Sequence, residues 1–231
     1  MNFAGLPERL ALVRAEIARR QAATDWTHPV TIVAVTKGFG PDAVTAARAA
    51  GLSDVGENRV QEALDKMAQV ADPGVVWHLI GHLQRNKAKS VTARFALVHS
   101  IDSLELAEEL ARRTTAHAAG TRQRVLVQVN VAGEVQKSGC ALDAAPALVR
   151  GVAALEGLAL EGLMTMAPLT DDVEVQRSAF RSLRRLRDAL QEEGVWVPTL
   201  SMGMSGDFAT AVEEGATVIR LGTALFGTRT A

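Results

Sequence analysis

Thr31-Ile-Val-Ala-Val-Thr-Lys37 is apolar on both of its alternating faces until it closes in a hydroxyl and a lysine, and Pro41-Asp42 soon after opens a helical pattern. A strand with two apolar faces belongs in a parallel sheet that is covered on both sides, so this stretch reads as the first strand–helix unit of an α/β fold. Seven further runs of the same kind follow, at 54–57, 76–81, 95–101, 124–131, 158–166, 199–203 and 217–221, with helical patterns between them. Eight strands in 231 residues suit a closed barrel, since a doubly wound sheet usually has about five to seven. The expected architecture is a single (β/α)8 TIM-type barrel, one domain over residues 1–231, with an extra N-terminal helix carrying Leu6, Leu10, Val13 and Ile17 at helical spacing. Only residues 224–228 remain for a helix after the eighth strand, so the N-terminal helix is expected to cover part of that gap.

Helix starts are expected at Asp102 with Glu105, a capping box, and at Asp171 with Glu174. One helix sets Phe180, Leu183, Leu186 and Leu190 against Arg177, Arg181, Arg184, Arg185 and Arg187. Asp188, Glu192 and Glu193 adjoin that basic face and no aromatics interleave it, so it reads as a solvated outer face and not as a nucleic-acid surface.

Composition narrows the function. Lys plus Arg number 25 against 26 Asp plus Glu, and a net charge of −1 offers no global field for nucleic acid or an anionic membrane. A single cysteine, Cys140, excludes an internal disulfide and multi-cysteine metal sites and fits a reducing, cytoplasmic setting. Residues 1–20 carry Glu8, Arg9, Arg14, Glu16 and Arg19 and do not read as a signal peptide, and no run approaches the roughly 18 apolar residues that cross a bilayer. The chain has three Trp, six Phe and no Tyr.

Barrel chemistry gathers at the carboxyl ends of the strands, and these runs end in polar residues: Thr36-Lys37, Glu57-Asn58, Gly81-His82, His99-Ser100, Asn130, Thr165, Ser201 and Gly222-Thr223. A lysine closing a buried strand can be desolvated into a neutral nucleophilic amine; the plainer alternative is a lysine that is solvated or paired with a carboxylate such as Glu57. Residues 200–208 and 220–227 pass from strand to helix through glycine, serine and threonine, with Ser205 or Asp207 able to cap the next helix. They follow strands seven and eight, where barrel phosphate sites are common, although small residues also make tight turns with no ligand.

Other signals are weaker. Gly222 and Gly227 have P-loop spacing, but Thr228 stands where the phosphate-reaching lysine would be, and no GxGxxG occurs. His78 and His82 have the spacing of a helical zinc pair, yet they fall on a strand and its loop, and no metal site is expected. Cys140 has no evident catalytic partner and reads as a packed or surface thiol.

Seven ordered motifs span nearly the whole chain: Val33-Ala-Val-Thr-Lys37, Gly56-Glu-Asn-Arg-Val-Gln-Glu62, Trp77-His-Leu-Ile-Gly-His-Leu-Gln-Arg-Asn-Lys87, Gln136-Lys-Ser-Gly139, Gly162-Leu-Met-Thr-Met166, Leu200-Ser-Met-Gly-Met-Ser205 and Val218-Ile-Arg-Leu-Gly-Thr-Ala-Leu-Phe-Gly227. Together they resemble the pyridoxal phosphate homeostasis protein family (YggS/PROSC), itself similar to the barrel domain of alanine racemase. The resemblance implies pyridoxal 5′-phosphate as cofactor, held as a Schiff base on Lys37. Its phosphate would lie on Ser205, Gly222 and Thr223, with Ser201 as a further candidate. Arg220 would face the pyridine nitrogen, Asn58 would line the ring, and Ile80 and Met164 would form an apolar wall. Arg220 could equally be half of an ion pair inside the barrel. Arg59 departs from the family pattern, where tyrosine is common.

The resemblance further implies storage, buffering and delivery of the cofactor to apo-enzymes that it meets transiently, with no catalytic residues of its own and a monomer as the default state. The missing tyrosine and second domain remove the opposite-face acid/base of alanine racemase, and an arginine at the pyridine nitrogen makes the ring a poorer electron sink. Lys137 reads either as a second amine that accepts the aldehyde during transfer or as a surface lysine. The alternatives are a weak racemase or lyase using His82 or Lys137 as base, and a cofactor-free phosphosugar isomerase.

Overall fold

A computed structural model describes residues 3–134 and 136–228. The strands are β1 (Thr31–Val35), β2 (Asp54–Glu57), β3 (Val76–Leu79), β4 (Leu97–Ile101), β5 (Gln123–Asn130), β6 (Cys140–Ala141), β7 (Leu158–Met164), β8 (Thr199–Ser201) and β9 (Val218–Leu221). Eight of them close a parallel ring in the order β1-β2-β3-β4-β5-β7-β8-β9, while β6 pairs only with β5 outside it. The (β/α)8 barrel expected from the alternation of runs is therefore the observed architecture. Five strands stop earlier than their apolar runs, because the last residues of each run peel off the ladder: Thr36 still donates its N–H to Gly56 O at 3.1 Å, but Lys37 makes no ladder bond. The fourth strand runs to Ile101 and so holds His99 and Ser100 inside the sheet and not at its tip.

Side-chain alternation sorts this wall into two faces. Ile32 and Ala34, Val55, Trp77 and Leu79, Val125 and Val127, and Ile219 and Leu221 pack outward into the main core under the helices. The opposite parity points inward, as the close approach of Gly56 to Val33 and Ile80 confirms. Leu97, Leu126 and Met164 form a small separate apolar layer there.

The helices are α1 (Leu6–Gln21), α2 (Pro41–Ala49), α3 (Val60–Val70), α4 (Ala88–Val91, entered through a 3-10 turn at Arg85–Lys87), α5 (Leu104–His117), α6 (Ala145–Ala153), α7 (Val173–Glu192), α8 (Phe208–Glu213) and α9 (Thr223–Phe226). The buried stripe of α1 is Leu6, Leu10, Val13 and Ile17, and the helix lies against α8 and α9, with Arg9 Nε donating to Leu225 O at 2.6 Å. It thus covers the short eighth helical segment, as its position at the chain start led us to expect. Two caps fall one residue later than expected. Ser103 accepts from Leu106 N because Asp102 is engaged by His82 Nδ1 at 3.2 Å, and Asp172 accepts from Glu174 N and Val175 N.

The arginine face of α7 is only partly solvated: Arg185 is exposed, but its neighbours are engaged by α8 and the residue after it. Arg177 binds Glu213 at 2.7 Å, and Arg181 and Arg184 bind the buried Glu214 at 2.9 and 3.0 Å, clamping α7 to α8. Burial raises the Glu214 carboxyl, but Arg181 and Arg184 outweigh it and hold the group below its usual range. No helix among the described residues is long and apolar enough to cross a membrane.

Candidate functional site

A cavity of about 290 Å³ opens at the carboxyl end of the barrel. Inward parity explains its lining. Val35 and, two residues on, Lys37 come from the end of β1, Asn58 from the end of β2, Ile80 from β3, and Arg220 and Gly222 from β9. Met166 continues the parity of Met164 one layer higher, and the loop after β8 adds Met204, Ser205 and Gly206.

Lys37 is exposed, so burial does not supply the desolvation expected for it, and it has no hydrogen bond or ion pair among the described residues. The carboxylate that could have neutralised it, Glu57, points to the other face of the wall and binds Lys66 of α3 at 2.6 Å. Lys66 Nζ also donates to Thr36 O at 2.8 Å and to Glu62 Oε1 at 3.0 Å, and that same Glu62 oxygen accepts the Gly38 N–H at 2.7 Å. The peptide groups on both sides of Lys37 are therefore tied to one buried ionic cluster, while its amine is left free. Gly38 follows at φ +72°, a left-handed turn that glycine adopts without strain. Burial pushes the Glu57 carboxyl up, against Lys66 and Thr36, and its Oε2 is buried without a partner.

Across the cavity, Ser205 Oγ accepts the N–H groups of Gly222 at 3.2 Å and Ala224 at 3.1 Å, which leaves its own proton to donate. Ser205 therefore joins the two small-residue loops and does not cap α8. Asp207 stands at the start of α8, but its Oδ1 accepts the Met204 N–H at 2.5 Å and shapes the loop. The amides of Ser205, Gly206 and Thr223 have no acceptor among the described residues. With the Ser205 and Thr223 hydroxyls they form a set of donors without a matching anion, which is the chemistry that holds a phosphate.

Arg220 forms the floor. It is buried, donating through one Nη to Ser201 Oγ at 2.7 Å and through the other to Thr165 O at 2.9 Å. Burial lowers its pKa to about 10 against the opposing charge of Asp207, so the guanidinium stays charged at neutral pH. Among the described residues it is not one half of a direct ion pair, the alternative left open by the sequence.

Lys37, Asn58, Ile80, Ser205, Arg220, Gly222 and Thr223 are thus brought together. Ser201 and Met164 are not part of the lining: both are fully buried a layer deeper, Ser201 under Arg220 and Met164 against Leu97 and Leu126. Lys137 lies off the cavity, its Nζ held by Glu134 Oε1 at 2.5 Å and Ala167 O at 2.8 Å. Arg59 is exposed beside α3, and His82 is tied to Asp102. Burial pushes the Cys140 thiol up to about 11. Phe39, Met166, Met204 and Gly206 were not singled out in the sequence. Met166 was accessible from the parity of Met164, and Met204 and Gly206 from their adjacency to Ser205. Phe39 had no local signal, since it is placed by ring contacts with Phe3 and Phe226 from both chain ends.

The sequence matches the family described as alanine racemase, N-terminal domain, over residues 10–230. It is 43% identical to a pyridoxal phosphate homeostasis protein of Pseudomonas aeruginosa, covering 97% of this chain and 96% of that one. A protein of the same name from Aquifex aeolicus is 40% identical, with 96% and 97% covered. The structure of PipY from Synechococcus elongatus with PLP bound superposes with a TM-score of 0.83 at 36% identity, over 96% of this chain and all of that one. The chain therefore belongs to the alanine racemase N-terminal domain family and, within it, to the pyridoxal phosphate homeostasis proteins.

Proposed function

We propose that this protein binds pyridoxal 5′-phosphate reversibly, as a Schiff base on Lys37, and stores, buffers and delivers it to apo-enzymes without substantial catalysis of its own. The observation that carries this reading is the pairing, across one cavity, of an uncommitted primary amine with a donor-rich anion cradle over a charged arginine floor. The relatives named for pyridoxal phosphate homeostasis and the PLP-bound Synechococcus structure support the choice of ligand. When bound, the cofactor would supply an electrophilic aldehyde, and the free Lys37 amine is the residue that would hold it covalently.

The protein's own groups define the rest. The Ser205 hydroxyl and the Ser205, Gly206 and Thr223 amides would hold the phosphate, Ile80 and Met166 would supply apolar wall for the ring, and Arg220 would keep the pyridine nitrogen as an acceptor. Among the residues that line the cavity, Lys37 and Arg220 alone carry ionisable side chains, so no second acid or base faces the lysine. His82 and Lys137, the remaining candidates for such a base, are committed to Asp102 and to Glu134 and Ala167. The test is transfer of cofactor from loaded protein to an apo-enzyme, read as recovered enzyme activity, for the unaltered protein and for Lys37→Ala and Lys137→Ala. Loss with Lys37→Ala is expected; undiminished transfer by both variants contradicts the carrier. Exchange of α-deuterium into a free amino acid by the loaded protein would establish a racemase or lyase instead.

A further inference from the structure

The interior of the barrel carries a line of polar side chains that no contact with the cavity explains. Arg220 donates to Ser201 Oγ at 2.7 Å, Ser201 Oγ lies 2.8 Å from His99 Nδ1, His99 Nε2 lies 2.9 Å from His78 Nδ1, and His78 Nε2 lies 3.0 Å from Asp54 Oδ1. The line runs from the floor of the cavity to the amino-terminal end of β2, and Ser201, His99 and His78 are all buried.

We propose that Ser201, His99, His78 and Asp54 form a one-directional hydrogen-bonded relay whose role is to hold the Arg220 guanidinium in its place under the cavity. With both imidazoles neutral, the two ends fix the direction. A guanidinium can only donate and an ionised carboxylate can only accept, whereas a serine hydroxyl and a neutral imidazole each do both. Asp54 therefore accepts a hydrogen bond from His78 Nε2–H, leaving His78 Nδ1 to accept from His99 Nε2, and His99 Nδ1 to accept from the Ser201 hydroxyl. Reversing the line would set an unprotonated His78 nitrogen against the carboxylate at 3.0 Å.

The charges around the line agree with this order. Ser53 donates to the other Asp54 oxygen at 3.0 Å, and His78, Ser53 and Arg124 together outweigh burial and hold the Asp54 carboxyl below its usual range. Burial first, and then the positive field of Arg220 and Arg124, holds the His99 imidazole well below its usual range. Such a line is cooperative, each bond polarising the next, and it engages the Ser201 hydroxyl fully. Ser201 is thereby a positioning residue for Arg220 and is not a phosphate ligand.

The importance of the relay for a cofactor rests on the pyridoxal phosphate reading, but its existence does not, and nitrogen NMR of the cofactor-free protein separates the two. The expected result at pH 7 is His78 and His99 both neutral with the proton on Nε2, and resolved Arg220 Nη signals that collapse into fast rotation in Ser201→Ala. His99→Asn, which keeps an acceptor for the Ser201 hydroxyl, should preserve those signals better than His99→Leu. In the same series Ser201→Ala should weaken pyridoxal phosphate binding about tenfold, the cost of a charged donor left without its acceptor. A charged His99, a proton on His99 Nδ1, or unchanged Arg220 signals in a folded Ser201→Ala protein would overturn the relay. Failure of the unaltered protein to bind the cofactor, with the tautomers as stated, would overturn only the ligand reading.

Discussion

Two lysines on opposite sides of one thin wall meet opposite fates. Lys66, on the helix side, is buried and gives its protons to Glu57, Glu62 and the Thr36 carbonyl. Lys37, on the cavity side, is exposed and gives its protons to nothing among the described residues. One residue of strand parity decides this: Glu57 points outward to Lys66, while Asn58 beside it points inward to the cavity. A buried ion pair consumes a carboxylate that could otherwise neutralise the Lys37 amine, and in the same stroke it anchors the peptide groups that carry that amine. The lysine that stabilises and the lysine left with a free amine are thus separate residues tied to one cluster.

The sharpest way to break the comparison is to exchange the two roles. Lys66→Met removes one partner of a buried pair and is expected to cost about 3–5 kcal/mol, read as a fall in the denaturant midpoint. Lys37→Met, at an exposed position, should shift stability by no more than about 0.5 kcal/mol. Equal losses in the two variants would refute the division. On the far side of the cavity, Ser205→Ala leaves the Gly222 and Ala224 amides without their acceptor and removes a donor to phosphate. It should weaken binding of pyridoxal phosphate about tenfold, by about 1.4 kcal/mol, with equilibrium titration as the measurement.

Acid sharpens the contrast between the cavity and the outer clamp. Glu213 and Glu214 have folded-state values depressed below the ordinary 4.5, because the arginines of α1 and α7 outweigh burial. A depressed carboxylate contributes stability that is complete above 4.5 and is lost as pH falls through the folded value. Melting temperature should therefore drop below about pH 4.5, and Glu214→Gln should flatten that part of the profile while lowering the neutral-pH plateau. The smallest effect concerns Cys140. Burial pushes its thiol up to about 11, so alkylation at pH 8 should be slow and should quicken with each unit of pH up to about that value; rapid labelling at pH 8 would contradict the packing described for β6.

Much of this was written in local sequence. Each of the eight runs became a barrel strand because an apolar stretch with polar ends needs no long-range information to be read, and the glycine- and serine-rich loops after β8 and β9 carried the anion cradle openly. The commitments of individual polar side chains were not legible. Whether Glu57 would meet Lys37 or Lys66 depended on which face it took, and whether the arginines of α7 were solvated depended on α8, which lies some thirty residues away along the chain and carries their acidic partners, Glu213 and Glu214. His78 suggested a pairing with His82 by spacing, yet its partner is His99 on the adjacent strand, visible only once the sheet is closed. Met164 and Ser201 were placed one layer too high for a similar reason, since parity alone does not say where along a strand the cavity begins.

The central claim is that Lys37, and no other lysine, is the reactive amine. It is tested most directly by mixing the protein with pyridoxal 5′-phosphate, reducing with borohydride, and mapping the stable adduct by peptide mass spectrometry. The expected result is a visible absorption band that reduction abolishes, with the adduct on the peptide containing Lys37 and absent from Lys37→Ala. A principal adduct on Lys66, Lys137 or any other lysine would contradict it.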